Sequence, residues 1–398
     1  MASKDAFNAL AYGGRLVGVV FIAASLVNLV AALAVWDYWG KQAVRYSGTA
    51  VLVGVGTVTV TNLMFLMSQI QGRSYTPFLW LWIGLAIWSA GVLWTLTRRR
   101  VWQEVPHPRR VALGVLVSGA VGISGLAYSQ MYVPYTTPMK TPFSVSFGPP
   151  ALSADGSFLH VPEHVEFRNT GSVRIYVVGT IWSALGWPTR FTEKGTGEEV
   201  WRRELDRFDE TVRHVAYAPS RMLGAGRFAD PGARLDPGDT LSGDFVVDVP
   251  LHTGIGRVEI DATTSYIRAD RAKLGNSYSS SGETSWDWDS KTGDQALPDG
   301  AEDGDDFIRF GAKIYHSSEM LNLTHATEYV NASWLLPRWD HCPLAAKGET
   351  CPKLSVGIAR NPDGSESLTD EEQEPYGMAT KTRWAEESVD QLLKAARK

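Results

Sequence analysis

Four long apolar stretches in the first third of the chain constrain its fold more than any other feature. They cover residues 16–36, 49–70, 77–97 and 111–131, and none contains an Asp, Glu, Lys, Arg or His. Each is about 20 residues long, which is the length that an α-helix needs to cross a hydrocarbon core of about 30 Å. The sequence therefore predicts a four-helix transmembrane domain over residues 1–133.

The charge of the chain changes sign after this domain. Residues 1–133 carry 10 Lys and Arg against 3 Asp and Glu, whereas residues 134–398 carry 28 against 40. An acidic surface confers solubility, and the second part lacks the basic, aromatic-interleaved patch that nucleic-acid binding requires. We therefore expect a soluble domain attached to a lipid bilayer, with no nucleic-acid partner.

A cluster of arginines predicts the orientation in the membrane. The connection between the third and fourth stretches contains five of them, Arg98, Arg99, Arg100, Arg109 and Arg110. Short cytoplasmic loops are enriched in Lys and Arg. This rule predicts a multi-pass protein of the plasma membrane with that loop in the cytoplasm and both termini extracytoplasmic.

The only two cysteines fit an extracytoplasmic location. Cys342 and Cys351 are separated by eight residues that include a proline and a glycine. Outside the cytoplasm such a pair forms a disulfide, and closing this short loop would contribute about 2–3 kcal/mol. The alternative is a metal pair with the adjacent His341, although a second pair of ligands is missing. Asn322 and Asn331 begin glycosylation sequons, whose use the sequence leaves open.

The membrane domain has the character of an anchor. Gly114, Ser118 and Gly122 recur every four residues and place small side chains on one helix face, where another helix can approach closely. That face packs either within the bundle or against a second subunit. Proton relays and ion sites use ionisable residues inside the membrane, and the four stretches contain none. The sequence therefore disfavours transport by this chain alone.

Residues 151–340, after a Pro-rich linker at 134–150, show the two-residue period of β-strands. Alternating residues such as Phe245, Val247 and Val249 predict a half-buried strand, which follows a Pro-Gly turn at 236–239. Residues 165–168, the turn 169–172 and residues 173–181 predict a hairpin. About seven such strands predict an all-β, antiparallel sandwich.

The order of these features resembles immunoglobulin-like modules of bacterial surface proteins. The resemblance covers residues 143–270 and depends on a strand, an "NTG" turn, a second strand, and "LDPGD" before a strand that ends in "VVDVP". It implies an immunoglobulin-like sandwich, a scaffold that hosts many functions.

Two segments of the soluble part are weak candidates for metal binding. Residues 276–306 form a predicted acidic surface loop in which calcium is conceivable, but no EF-hand register fits. His160 and His164 share one face of an extended segment and are the weak candidates for copper or zinc. The chain has neither a G-x-S-x-G nor an H-E-x-x-H motif, so no catalytic residue is assigned.

The final region, residues 341–398, combines the predicted disulfide loop with helices. Thr369 and Glu372 have the spacing of a capping box. Residues 383–397 place Trp384, Val389 and Leu392 along one stripe, which predicts an amphipathic helix. This helix would dock on its own domain, on the membrane surface or on a partner.

These features favour a non-enzymatic membrane protein without a cofactor. Its extracytoplasmic β-sandwich would act as a binding module or as a subunit of a cell-envelope complex, with a protein partner or a second copy of the chain in the membrane. Two alternatives remain at this point: a component of a channel or transporter, and a membrane-tethered, metal-dependent enzyme that uses the scattered histidines.

Overall fold

Helices precede antiparallel β-sheets along the chain, as the sequence predicts. In the computed structural model, the described residues are 2–10, 12–40, 43–44, 46–71, 76–101, 138–191, 198–199, 202, 215–217, 220–280, 282–286, 297–302, 304–336 and 352–397. A helical unit comprises Met1–Pro138, Asp270–Lys273 and Ile314–Thr327. A β-sheet unit comprises Met139–Ala269, Leu274–Lys313 and Glu328–Lys398.

Three helices of the helical unit are long and apolar enough to cross a membrane. The helices are α1 (Ala2–Asn8), α2 (Tyr12–Trp39), α3 (Ser47–Gln71), α4 (Phe78–Arg98) and α5 (Glu319–Thr324), of which α2, α3 and α4 are the candidate spans. They confirm the first three predicted stretches as helices. The fourth stretch, residues 111–131, lies outside the described residues.

Aromatic stacking and close backbone approach join α2, α3 and α4. The ring of Phe65 stacks between Phe21 and Trp82, with centroid distances of 5.4 and 4.6 Å. A Cβ at Gly54 of α3 would lie only 2.2 Å from the Cβ of Ala31, so the glycine allows α2 and α3 to touch. Small residues serve this purpose where helices pack in a bilayer.

The threonines of α3 satisfy their hydroxyls within the helix. Thr57, Thr59 and Thr61 each donate a hydrogen bond to the carbonyl oxygen four residues earlier, at 2.8–2.9 Å. Such bonds remove the polarity that would otherwise face lipid or a neighbouring helix. The three threonines are therefore compatible with a helix that lines no polar path through the membrane.

The short helix α5 packs on α1 and α3 within the helical unit. The carboxylate of Asp5 in α1 accepts hydrogen bonds from the backbone N–H groups of Glu319 (2.6 Å) and Met320 (3.1 Å), and the hydroxyl of Ser318 caps the same helix end. Helix N-termini leave such N–H groups without intrahelical partners, and Asp5 and Ser318 satisfy them here.

The β-sheet unit contains three antiparallel sheets built from fifteen strands among the described residues. Sheet I consists of β1 (Phe143–Phe147), β2 (Ala151–Leu152), β3 (Phe158–Arg168) and β8 (Thr240–Pro250). Sheet II consists of β4 (Ile175–Phe191), β5 (Val215–Tyr217), β6 (Arg221–Gly226), β7 (Ala233–Leu235), β9 (Ile255–Arg268) and β15 (Ala379–Ser388). Sheet III consists of β10 (Ala272–Leu274), β11 (Glu283–Thr284), β12 (Asp306–His316), β13 (Glu328–Leu336) and β14 (Lys353–Ala359).

Sheets I and II pack face to face as a β-sandwich. Their core includes Phe143, Val165, Phe167, Ile175, Val177, Trp182, Ala184, Phe228, Leu235, Val247, Ala262 and Tyr266. Trp182 stacks on Phe245 across the two sheets, with ring centroids 4.4 Å apart. In β3 and β8 the buried residues alternate with outward-facing ones, because successive side chains of a strand point to opposite faces.

Sheet III covers the other face of sheet II, which the sequence did not predict. β4 is buried on both faces from Ile175 to Trp182 and contains a bulge at Val178. The carbonyl of Val178 accepts a hydrogen bond from the hydroxyl of Tyr278 (2.9 Å), and that of Thr180 accepts one from the indole N–H of Trp334 (2.8 Å). These bonds join sheet III to the middle of sheet II.

The predicted hairpin at residues 165–181 is wrong. β3 belongs to sheet I and β4 to sheet II, so the turn between them carries the chain from one sheet to the other. The fully buried Asn169 holds this crossing, because its amide N–H₂ donates to the carbonyls of Val173 (2.8 Å) and Leu235 (3.1 Å). The local sequence of a hairpin and that of an inter-sheet turn are alike, which explains the error.

The predicted helix at residues 383–397 is half wrong. Residues 379–388 form β15, which pairs with β9 over ten residues, and the helix α7 covers only Val389–Ala396. Val389 and Leu392 pack into an apolar cluster with Leu159, Val161 and Val249. The helix therefore docks on its own domain, which is the first of the three predicted destinations.

Several local predictions are confirmed. Gly238 has φ +95° at the third position of the predicted turn, and the N–H of Asp239 donates to the carbonyl of Asp236. The capping box of Thr369 and Glu372 begins the four-residue helix α6 (Asp370–Gln373). Within the predicted acidic loop at 276–306, the described residues include β11 and the buried Tyr278.

Candidate functional site

A polar pocket on the outer face of sheet III is the strongest candidate site among the described residues. It is lined by Pro298, Asp299, Arg309, Asn331, Ser333, Ser355, Gly357, Ala359, Gly364 and Ser367. These residues come from β12, β13, β14 and two turns. The pocket therefore assembles side chains that are far apart in sequence.

The pairing of β13 with β14 brings together the polar residues that form the floor of the pocket. Asn331 is opposite Gly357, and Ser333 is opposite Ser355. On the other face of β13, Trp334 donates to the carbonyl of Thr180 in sheet II. Because strand side chains alternate between faces, the buried packing of one face directs Asn331 and Ser333 into the pocket.

Arg309 supplies the positive charge of the pocket. Its side chain is buried, its guanidinium donates a 2.5 Å hydrogen bond to the carbonyl of Asp363, and it lies 5.1 Å above the ring of Phe307. Burial lowers the pKa of Arg309, while the carboxylates of Asp363 and Glu283 act in the opposite direction. The guanidinium stays charged, because an arginine pKa lies far above neutrality.

Asn331 has an unsatisfied amide in this pocket. The residue is 8% exposed, and neither its Oδ1 nor its Nδ2 has a hydrogen-bond partner in the described structure. A buried polar group without a partner costs about 1–3 kcal/mol. Native proteins satisfy most such groups, so this amide makes the pocket a candidate site.

Two glycines make room for the Asn331 amide. A Cβ at Gly311 would lie 2.5 Å from Asn331 Oδ1. A Cβ at Gly364 would lie 3.6 Å from Asn331 Nδ2 and 3.8 Å from Arg309 Cζ. Gly364 also has φ +80°, which favours glycine, and it belongs to a tight turn at 361–365. Arg309 and Asn331 thus converge beneath this turn.

Gly357 opens the floor of the pocket. A Cβ built on this residue meets no atom within 4 Å, and its φ is not in the left-handed region. A Cβ at this position would therefore not displace its neighbours. Because Gly357 lines the pocket, a side chain added here narrows the pocket.

The size of the pocket limits what it can hold. Its cavity volume is about 20 Å³, which is room for about one water molecule. Sites for drug-sized molecules enclose about 300–1,000 Å³. The pocket therefore suits one functional group of a larger molecule better than a whole cofactor.

The two candidate histidines are not brought together. His160 and His164 lie four residues apart in β3, a distance of roughly 13 Å along an extended strand. Each pairs with its own aspartate on β8: His160 Nδ1 is 2.6 Å from Asp248 and His164 Nδ1 is 2.7 Å from Asp244. Within the described residues, no group of three His, Cys, Asp or Glu side chains is placed to hold a metal.

The other predicted site residues are only partly described. Arg98 ends α4, and Arg99 and Arg100 follow it in a turn. The remaining ones lie outside the described residues, namely Arg109, Arg110, Gly114, Ser118, Gly122, Cys342 and Cys351. The disulfide, the small-residue seam and the arginine loop therefore stay predictions.

Two buried carboxyl groups outside the pocket have perturbed acidities. Glu163 in β3 is 1% exposed, its two carboxyl oxygens lack hydrogen-bond partners within the described residues, and burial raises its pKa to about 8. Burial likewise raises the pKa of Glu328 to about 7, and this carboxyl accepts a short hydrogen bond from the hydroxyl of Tyr376. Its neighbours on the same face of β3, Val161 and Val165, are fully buried, so we assign no chemistry to Glu163.

The sequence contained one signal of this pocket. Asn331 and Ser333 interrupt the apolar strand Glu328–Leu336 at alternate positions, which indicates a polar face. Arg309, Gly357 and Ser367 have no corresponding signal, because their convergence depends on strand pairing and on a turn.

Comparisons with known proteins add no argument about function. No protein-family model matches the chain, and no curated protein matches it. A crystal structure of a Bordetella pertussis protein described as ApaA is 17% identical over 33% of this chain and 82% of that chain. Its TM-score is 0.18, which is too low to support a statement about fold or function.

Proposed function

We propose that the chain is a membrane-anchored, non-catalytic binding protein. Its antiparallel sheets hold the pocket around Arg309 and Asn331, which receives one polar group of a partner in a cell-envelope complex. The three apolar helices supply the anchor. Their central segments lack the ionisable side chains that a transport path uses.

The observation that carries this proposal is the open amide of Asn331. An apolar residue of similar size would be more stable at this position than an unsatisfied asparagine beside a buried arginine. A partner group that pairs with this amide explains its position. Residues kept at a cost in stability are typical of binding sites.

Site-specific photocrosslinking in cells that produce the full chain tests the proposal. A benzophenone amino acid replaces the exposed Ser367 at the pocket rim, and the same replacement at Ser144 of β1 is the control, because Ser144 is exposed on another sheet. We expect a discrete adduct from position 367 that is lost when Gly357→Val fills the pocket. An adduct that persists with Gly357→Val, or no adduct at position 367, contradicts the proposal.

The location proposed for this protein is the plasma membrane, with both termini and the β-sheet unit outside. The arginines after α4 support this orientation through the positive-inside rule. An Arg99→Cys variant in intact cells should stay unlabelled by a membrane-impermeant maleimide, whereas Ser144→Cys should react. Labelling at position 99 from outside would reverse the orientation.

Three finer features of the sequence belong to the same proposal. They are a fourth span over residues 111–131, an immunoglobulin-like arrangement of sheets I and II, and a Cys342–Cys351 disulfide. The extracytoplasmic side would allow the disulfide to persist. Peptide mass mapping without reductant should find the two cysteines linked, and free thiols at both positions would contradict the bond.

A further inference from the structure

We infer that the pocket on sheet III accepts a neutral amide of a polypeptide partner, either a main-chain peptide group or an Asn or Gln side chain. This inference rests on the proposed binding function and specifies its ligand. Its basis is the hydrogen-bonding character of the groups that line the pocket. Charged ligands leave at least one of those groups unsatisfied, and a sugar lacks an aromatic surface there.

The Asn331 side chain requires both a donor and an acceptor. Its Oδ1 accepts hydrogen bonds and its Nδ2 donates them, and both atoms lack partners in the described structure. A second amide presents the complementary pair in one plane and can satisfy the two atoms together. The hydroxyls of Ser333 and Ser355, which line the same floor, can donate or accept as needed.

Charged groups fit the pocket less well. A cation would be repelled by the buried guanidinium of Arg309. An anion would be attracted to it, but the carboxylates of Asp363 and Glu283 act on Arg309, and Asp299 lines the pocket. A carboxylate has no N–H, so it would also leave Asn331 Oδ1 without a donor.

A sugar fits less well than an amide. A sugar gains much of its binding free energy when a weakly polar face of its ring stacks on an aromatic side chain. Among the described residues, no aromatic side chain lines this pocket; its lining is proline, aspartate, arginine, asparagine, serine, glycine and alanine. The cavity volume of about 20 Å³ admits only the polar tip of a ligand, and the open space beside Gly357 adjoins it.

Small probes distinguish these classes in the full chain, solubilised in detergent micelles. Selective ¹⁵N labelling reports the backbone N–H of Gly357 and the side-chain amide of Asn331 by NMR. The probes are acetamide, acetate, methylammonium and methyl glucoside, compared at equal ionic strength. We expect saturable shifts of both signals with acetamide, and binding roughly tenfold weaker for the other three probes. The two ions leave a buried polar group unpaired, and the sugar finds no aromatic side chain among the described residues that line the pocket.

Two variants test whether acetamide binds at Asn331. Asn331→Asp keeps the shape of the side chain and removes its donor, so acetamide binding should weaken roughly tenfold. Ser144→Val, which adds bulk to an exposed strand position of sheet I, should leave the shifts unchanged. Loss of the acetamide response in both variants would indicate general disturbance of the fold and would overturn the assignment to Asn331.

Failure of this inference is distinguishable from failure of the proposed function. If acetate, methylammonium or methyl glucoside binds more tightly than acetamide, the amide assignment is overturned while photocrosslinking at Ser367 still supports a binding pocket. If no probe produces a saturable shift, the amide assignment is also overturned. If the adduct at Ser367 is insensitive to Gly357→Val, the binding function itself falls.

Discussion

Replacing the buried Glu163 by glutamine should abolish a pH dependence of stability that this one carboxyl group causes. Glu163 points into the sandwich from β3, is 1% exposed, and has no hydrogen-bond partner for either oxygen within the described residues. Its pKa is about 8 in the folded protein, compared with an ordinary value of 4.5. Burial disfavours the charged form, and this raises the pKa.

The sign of the effect follows from proton binding. Between pH 4.5 and pH 8 the unfolded chain loses the proton of Glu163 while the folded chain retains it. The folded state therefore binds more protons, and the free energy of unfolding falls as the pH rises. Each pKa unit corresponds to about 1.4 kcal/mol, so at pH 7 the loss relative to pH 4.5 is on the order of 3 kcal/mol. Above pH 8 the loss reaches its plateau.

Hydrogen exchange of the backbone N–H groups in β3 measures this loss of unfolding free energy. Glu163→Gln has nearly the shape of the neutral acid and cannot ionise, so the backbone N–H groups of β3 should be roughly 300-fold more protected in the variant than in the wild type at pH 7. The two proteins should converge near pH 4.5. Comparison at equal pH cancels the intrinsic pH dependence of exchange.

Glu166→Gln is the matched control, because Glu166 lies on the same strand with 40% of its side chain exposed. A change at such a position alters stability by about 0.5 kcal/mol or less. If the ratio of protection between Glu163→Gln and wild type stays constant from pH 5 to pH 8, the buried carboxyl does not titrate as described. The reasoning from its burial would then be refuted.

Three further substitutions test the packing of the β-sheet unit by thermal unfolding of the full chain in detergent. Asn331→Leu should raise stability by about 1 kcal/mol by removing two unpaired polar atoms, and a loss of stability would mean that the amide has an internal partner. Leu392→Ala should cost about 2–4 kcal/mol because the side chain is 4% exposed in the cluster that docks α7, whereas the exposed Lys394→Ala should have little effect. Asn169→Ala should lower the free energy of unfolding by about 2 kcal/mol, because the carbonyls of Val173 and Leu235 lose their donor in the turn between the sheets. An unchanged stability would show that the turn does not depend on Asn169.

The sequence predicted well those features that depend on local periodicity. The three candidate spans appear within a few residues of their predicted ends, because uninterrupted apolar composition over about 20 residues has few other solutions. The strand at 240–250 and the capping box at Thr369 were predicted for the same reason, since alternation and cap spacing are short-range patterns. Such features require no knowledge of which elements pair.

The errors occurred where pairing partners decide the outcome. Residues 379–388 carry a partial helical pattern, yet ten residues of pairing with β9 make them a strand, because the long-range backbone hydrogen bonds outweigh a weak local preference. The turn at Asn169 separates two sheets where a hairpin was expected. The third sheet was missed because β4 is buried on both faces and therefore lacks a clear alternation.

The sequence by itself determined that this protein has an apolar helical part and an acidic, strand-rich part, because hydropathy and charge are properties of composition and spacing. Only the tertiary structure decided which side chains meet in the pocket. Arg309, Asn331, Gly357 and Ser367 meet through the pairing of β12, β13 and β14 and through the turn that covers them. No spacing along the chain encodes that convergence, since strand order and register are fixed by the burial of the opposite face.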